Sequence, residues 1–157
     1  MDSKDLQILA ILQEDATVPL EKIAERIGLS PTPCWRRIQK LEAERVIRKR
    51  VVLLDPAKLN VGVTVFVAVK TSQHSTEWLA RFSRAVADIP EVLDVYRMSG
   101  EVDYMLRIVV PDIAAYDGVY KRLIQRVPLA DVTSMFAMEE MKSTTAFPLD
   151  YVAPRRP

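Results

Sequence analysis

Gly28 separates two short apolar stripes of helical period, and that spacing limits what the first third of the chain can become. Before it, Leu20, Ile23, Ala24 and Ile27 recur at i, i+3, i+4, i+7, opened by Pro19. After it, Cys34, Ile38 and Leu41 recur at i, i+4, i+7. Gly28 takes the left-handed conformation that ends a helix, Ser30 N-caps the next, and Pro31 suits its first position. An earlier stripe, Leu6, Ile8, Leu9 and Leu12, marks a helix over 4–14. Three short amphipathic helices, the last two joined by a tight glycine turn, make a helix-turn-helix.

The outer face of the third helix carries Thr32, Pro33, Arg36, Gln39 and Lys40, with Arg37 at its border. A helix apolar on one side and basic and hydrogen-bonding on the other suits a DNA major groove. With net charge of only +1, no global basic field points to nucleic acid, so a basic patch must be local. It is found where Arg36, Arg37, Lys40, Arg45, Arg48, Lys49 and Arg50 outnumber Glu42 and Glu44. The β-branched run from Val46 to Leu54, interrupted by Arg48-Lys49-Arg50, is expected to be a wing strand leading out of a DNA-binding domain spanning 1–54. Expected contacts to double-stranded DNA are Ser30, Thr32, Pro33, Trp35, Arg36, Arg37, Lys40, Arg48 and Arg50. Trp35 either packs against the wing or touches the sugar-phosphate backbone.

Asp55 to Gly62 reads as a turn and linker, and beyond it the period changes. Val63–Lys70 is a buried strand; Ser75 or Thr76 caps a helix bearing Trp78, Leu79, Phe82, Ala85 and Val86. Val92–Met98 and Asp103–Val110 are strands about a Ser99-Gly100-Glu101-Val102 hairpin. Pro111-Asp112 opens a second helix, and Asp131–Met141 is a last strand. Strand-helix-strand-strand-helix-strand is the ferredoxin-like order, giving an α+β fold with this domain over 63–149 and a Pro- and Arg-rich surface tail over 150–157. The helices cover one sheet face. Apolar residues on both sides of strands 63–70 and 132–141 imply that the other face packs on a second copy, making a symmetric homodimer.

Cys34, the one cysteine, sits on the core stripe and is a packed hydrophobe; the single histidine, His74, gives neither a metal site nor a triad. With one cysteine there is no intramolecular disulfide, which fits a reducing compartment. The charged N-terminus lacks a signal-peptide core and the longest uncharged run, Leu59–Val69, is too short to span a bilayer, so a soluble cytoplasmic protein without a membrane partner is expected. The chain has no P-loop, dinucleotide fingerprint, Cys/His cluster or nucleophile-base pairing, which weighs against an enzyme or an enzyme's regulatory subunit. The small net charge weighs against a purely electrostatic, architectural DNA coater. Arg97 and Arg107 are expected to salt-bridge Glu91, Asp94 or Asp103.

Four motifs in order, Leu29-Ser30-Pro31-Thr32-Pro33-Cys34-Trp35-Arg36-Arg37, Leu53-Leu54-Asp55-Pro56-Ala57-Lys58-Leu59, Gly100-Glu101-Val102-Asp103-Tyr104 and Lys142-Ser143-Thr144-Thr145-Ala146-Phe147-Pro148-Leu149, resemble the Lrp/AsnC, or feast/famine, transcriptional regulators. Thr32-Pro33-Cys34-Trp35, Ser75-Thr76-Glu77-Trp78, Tyr96 to Glu101 and Asp131 to Glu139 further resemble members that sense cysteine. The resemblance implies a winged helix-turn-helix joined to a ferredoxin-like βαββαβ sensor domain. It also implies dimers that ring into tetramers or octamers, and an amino-acid effector bound where dimers meet, with no other cofactor. Carried onto this chain, the effector residues are Met98, Ser99, Gly100, Glu101, Asp103 and Tyr104 around the hairpin and Thr133, Ser134 and Met135 on the facing strand. Val102 departs from the aromatic or polar residue common there. Turn N–H groups and the hydroxyls of Ser99, Thr133 and Ser134 suit a carboxylate, and Asp103 or Glu101 suits an ammonium. The residues taken alone also fit a simpler role, in which Gly100 makes the hairpin and Asp103 caps it.

Overall fold

Asp2 starts the first helix, α1 (Ser3–Glu14), in a computed structural model that describes residues 1–152. Its carboxylate accepts from the N–H groups of Lys4 (2.9 Å) and Asp5 (3.0 Å), while its own N–H donates to Asp5 Oδ2 (2.9 Å). This reciprocal capping box satisfies donors that a helix start otherwise leaves to water. α2 (Leu20–Ile27) ends at Gly28, whose φ of +66° is the left-handed cap expected of it. α3 (Pro31–Ala43) follows after three residues, Gly28, Leu29 and Ser30. Ile8, Ile23, Ala24, Ile27, Cys34, Ile38 and Leu41 form the core of this first unit, with Leu9, Ile11, Leu12 and Leu20 packed around them. Desolvation pushes the Cys34 thiol above its ordinary pKa, which keeps it neutral and inert.

The expected wing is not a strand. Val46 and Ile47 donate their N–H groups back to Leu41 O (2.9 and 3.1 Å), and Val51, Val52, Leu53 and Leu54 stand exposed. A strand exists only as half of a pair, and among the described residues no strand pairs with the run. The chain divides by contacts into Met1–Leu53 together with the segment from Lys142, and Leu54–Met141. The 55–62 stretch, expected as a linker, therefore lies within the second unit, and residues 142–149, expected in the sensor domain, lie with the first. Leu149–Tyr151 is a short 3-10 turn; the rest of the expected tail, 153–157, lies outside the described residues.

In the second unit, β1 (Val63–Lys70), α4 (Thr76–Ala87), β2 (Val92–Arg97), β3 (Tyr104–Val110), α5 (Ile113–Arg126) and β4 (Asp131–Phe136) occur in the expected order. The strands form one antiparallel sheet, β2-β3-β1-β4. Ser75 and Asp112 cap the two helices through their side chains. β4 stops five residues short of the expected Met141. Phe136 pairs with Val65 and Ala137 donates to Thr64 O (2.9 Å), but β1 begins at Val63, so β4 runs out of partner.

Tyr104, Leu106, Ile108 and Val110 alternate inward on β3 with Val65, Val67 and Val69 on β1. They meet Trp78, Phe82, Tyr116, Val119 and Leu123 of the helices. Trp78, Phe82 and Tyr104 cluster with ring centroids 4.6–5.6 Å apart, and the Trp78 indole N–H donates to Pro128 O (2.9 Å). Neither helix of this unit packs on the other sheet face. Phe66 lies on it opposite Arg107 and Met135, and Ala68 opposite Met105 and Thr133. Among the described residues no helix is long and apolar enough to cross a membrane.

Candidate nucleic-acid and effector sites

α3 starts without the side-chain cap expected of Ser30. Ser30 occupies the cap position with extended backbone, yet its hydroxyl bonds no helix N–H. The first and third helical positions are Pro31 and Pro33, which have no N–H to donate, so the usual acceptor finds few donors. The hydroxyl and the Thr32 side chain are left at an exposed helix N-terminus, the electrostatically positive end.

Around the helix, Cys34, Ile38 and Leu41 turn inward, and Thr32, Pro33, Arg36, Gln39 and Lys40 stand exposed as expected. The two adjacent arginines part company. Arg36 is exposed and, among the described residues, makes no ion pair. Arg37 is half-buried, and its Nη1 donates to Asp2 Oδ2 and to Asp5 Oδ1, each at 2.7 Å. The capping bond from the Asp5 N–H and then the bond from Arg37 hold the Asp2 carboxyl below its ordinary pKa, and the bonds to Asp5 and Asp2 raise that of Arg37. Met1, Asp2, Asp5, Pro33, Arg36, Arg37 and Lys40 line an open depression of about 460 Å³.

Lys40 lies 3.9 Å from Glu44, and Arg50 reaches Glu42 at 3.1 Å; Arg48 is exposed. Trp35, half exposed, overhangs a groove of about 240 Å³ bounded by Leu12, Leu20, Ile23, Glu42 and Arg50. Of the segment after α3, only Arg50 reaches this groove; the rest of its wall comes from the three helices and Val18. Asp2, Lys4 and Asp5 were not singled out from the sequence; the signal was the Asp-x-x-Asp spacing at a helix start.

In the second unit, Gly100 turns the β2–β3 hairpin at φ +116°, a conformation L side chains rarely adopt. Met98, Ser99, Gly100 and Glu101 are exposed on it. Asp103 anchors it: its O accepts from Met98 N–H (2.8 Å), its N–H donates to Val69 O (3.0 Å), and its Oδ2 accepts from the buried Thr71 N–H (2.8 Å). The Tyr104 ring belongs to the core, so only its backbone is open to the turn. Val69 pairs with both Tyr104 and Val132, which brings the hairpin and the start of β4 to one end of the sheet, with β1 between them.

Thr133 and Met135 lie on the helix-free face, whereas Ser134 lies on the helix side and is hydrogen-bonded to the Tyr116 hydroxyl. Phe136 meets the Tyr116 ring edge-on at 5.4 Å. Burial raises the Tyr116 pKa, so the phenol stays neutral. Tyr116 is a neighbour of the expected site that strand periodicity alone did not indicate. Of the expected salt bridges, Arg107 takes Asp94 (2.6 Å), while Glu91 goes to Arg122 (2.5 Å).

A helix-turn-helix with a free cation on its second helix, followed by a ferredoxin-like domain, defines a transcriptional regulator with a ligand-binding domain. Residues 1–42 match the AsnC-type helix-turn-helix domain and residues 64–147 the Lrp/AsnC ligand binding domain. The chain belongs to the Lrp/AsnC family. It is 48% identical over 151 residues to the DNA-binding transcriptional activator DecR of Escherichia coli K12, covering 96% of this chain and 99% of that one. The crystal structure of an AsnC family transcriptional regulator from Agrobacterium tumefaciens is similar at 59% identity and TM-score 0.94, covering 98% of this chain and 100% of that one. A complex of the Neisseria meningitidis regulator NMB0573 with L-Met is similar at 33% identity and TM-score 0.90, covering 96% and 97%. The chain is accordingly a DNA-binding transcriptional regulator, not an architectural coater.

Proposed function

We propose that the protein binds a near-palindromic operator as a homodimer and that a small α-amino acid, bound at the β2–β3 hairpin and β4, changes that binding. The observation that carries the dimer is the helix-free sheet face. Phe66 and Met135 face each other there across β1 and β4, 39% and 45% exposed, and Met105 and Val109 continue the face on β3. A second copy of the same face is a self-complementary cover. The exposed run Val51–Leu54 adds apolar surface that one chain leaves wet. Two α3 helices related by a two-fold axis then suit half-sites one helical turn apart.

Arg36 on α3 reads base edges, while Ser30 at its cap, Thr32 and Lys40 on it and Arg48 beyond it hold phosphates. The Neisseria relative's complex with L-Met supports an amino acid as effector. The exposed turn offers donors to its carboxylate, and Asp103 or Glu101 offers acceptors to its ammonium. The motifs resembling cysteine-sensing members put cysteine first. A ligand at the seam between dimers moves the protein toward the assembly that binds it better, and tetramers or octamers follow from a second contact beyond the sheet face. The protein works in the cytoplasm, where DNA and free amino acids meet, and carries no catalytic role.

Thermal denaturation of the full chain with each common amino acid is the test, run beside sedimentation. A ligand at a hundred times its Kd adds about 2.7 kcal/mol to the folded state. A rise with cysteine alone supports the narrower assignment, a rise with another amino acid moves it, and no rise across the panel removes the sensor. A monomer at micromolar concentration removes the dimer.

A further inference from the structure

The N-terminal half of α3 is the part that must meet base edges, and it has little core to hold it. Pro31, Thr32 and Pro33 are exposed, Ser30 does not cap through its side chain, and only Cys34 of the first turn is buried. Hydrophobic packing is non-directional, so one buried cysteine does not set the angle at which this half leaves the domain.

The first turn of α1 supplies what packing lacks. Asp5 is 8% exposed and both its oxygens are occupied: Oδ2 takes the Asp2 N–H at 2.9 Å and Oδ1 takes Arg37 at 2.7 Å. Asp2, the other half of the capping box, takes Arg37 at 2.7 Å through Oδ2. One residue before Asp5, Lys4 Nζ donates to Ile27 O, the last carbonyl of α2 before Gly28. A cation there satisfies an orphan carbonyl and opposes the negative end of the helix dipole. Three residues of one helical turn therefore hold the end of α2 and the middle of α3, on both sides of the glycine turn.

We propose that this turn is a clamp that sets the angle of α3, with Arg37 a positioning residue and its neighbour Arg36 the DNA contact. The sign of the charge agrees: Arg37 with Asp2 and Asp5 carries one net negative charge, which is wrong for a phosphate, whereas Arg36 has no carboxylate of its own among the described residues. The bonds are directional and charge-assisted, and Asp5 is buried, so solvent competes poorly for them. The proposal rests on α3 being the helix that enters DNA.

The test uses the full chain and a duplex selected by it from a random-sequence 30-base-pair library. Affinity is measured against salt for wild type, Arg36→Ala, Arg37→Ala, Asp5→Asn, the double variant Asp5→Asn with Arg37→Ala, Arg37→Asp, and the reversed pair Asp5→Arg with Arg37→Asp. Arg37→Ala is expected to weaken binding about tenfold and Asp5→Asn by less, because Asp2 still holds Arg37; the double variant falls no further than Arg37→Ala, because Asp5 acts on α3 through Arg37. The slope of log affinity against log salt stays at the wild-type value in both. It flattens by about 0.9 in Arg36→Ala, which gives up a counterion-releasing contact.

The reversed pair regains affinity over Arg37→Asp alone, which a lost phosphate contact would not allow, and this guards against a variant that merely unfolds. Tighter or unchanged binding by Asp5→Asn overturns the clamp. So does a flattened slope in Arg37→Ala, or a reversed pair no better than Arg37→Asp. If instead Arg36→Ala changes neither affinity nor slope while Arg37→Ala keeps its slope, the clamp stands as a folding device and the assignment of Arg36 fails.

Discussion

The side-chain amide of Gln13, near the end of α1, pairs with the backbone of Phe147 as a neighbouring strand would. Its Nε2 donates to Phe147 O (3.1 Å) and its Oε1 accepts from Phe147 N–H (3.0 Å), across 134 residues of sequence. The match to the ligand-binding family model ends at residue 147, yet the segment from Lys142 belongs by its contacts to the helix-turn-helix unit. Gln13→Ala is expected to return both Phe147 groups to water at a cost of about 1 kcal/mol. Amide hydrogen exchange at Phe147 should accelerate in that variant. Unchanged protection would assign the anchoring of the segment to other contacts.

Two serines in the same formal position are expected to behave oppositely. Ser75 accepts from Trp78 N–H at 3.1 Å, so Ser75→Ala costs about 1 kcal/mol of stability. Ser30 makes no capping bond, so Ser30→Ala leaves the melting temperature where it was and lowers operator affinity. Equal destabilisation by the two would mean that Ser30 caps α3 after all.

Asp103 carries two roles that one substitution separates from another. Asp103→Ala strips the acceptor from the buried Thr71 N–H and is expected to cost about 1–3 kcal/mol, measured by urea denaturation. Asp103→Asn keeps an acceptor there and removes the charge. If Asp103 meets the effector's ammonium, the asparagine variant keeps its stability and loses its thermal response to amino acid. Retention of that response would move the ammonium contact to Glu101.

The Asp2 carboxyl lies below its ordinary pKa of 3.8 because it accepts bonds from Asp5 N–H and from Arg37. Its contribution is therefore fully present above pH 3.8 and is lost as the pH falls through the lower folded-state value. Wild type is expected to be more stable than Asp2→Asn at pH 7. The difference should close below about pH 4, where the unfolded chain's carboxyl takes up its proton. A gap that stays constant down to pH 2 would remove the ionic component of the bond.

Elements whose geometry is local were legible in the amino acids. Gly28 ended α2, and β1 lies where its β-branched run lies. The errors occur where a partner decides. The 46–54 run has strand composition but no pairing strand among the described residues, and β4 stops where β1 does. Thr133, Ser134 and Met135 are adjacent in sequence, but strand alternation turns Ser134 to Tyr116 and its neighbours to the opposite face.

Arg36 and Arg37 show most plainly where the two kinds of information divide. By composition they are the same residue twice, and the sequence by itself determined that a basic helix follows a glycine turn, that a ferredoxin-like domain comes after it, and that the chain resembles the Lrp/AsnC family. Helical rotation of about 100° per residue then separates their directions. Only the tertiary structure decided which one meets Asp2 and Asp5, because those carboxylates lie 35 and 32 residues away and come within 2.7 Å only when α1 packs beneath α3. Periodicity is a property of neighbours along the chain, and it identifies a face. The task of a charge on that face is set by what folding brings against it.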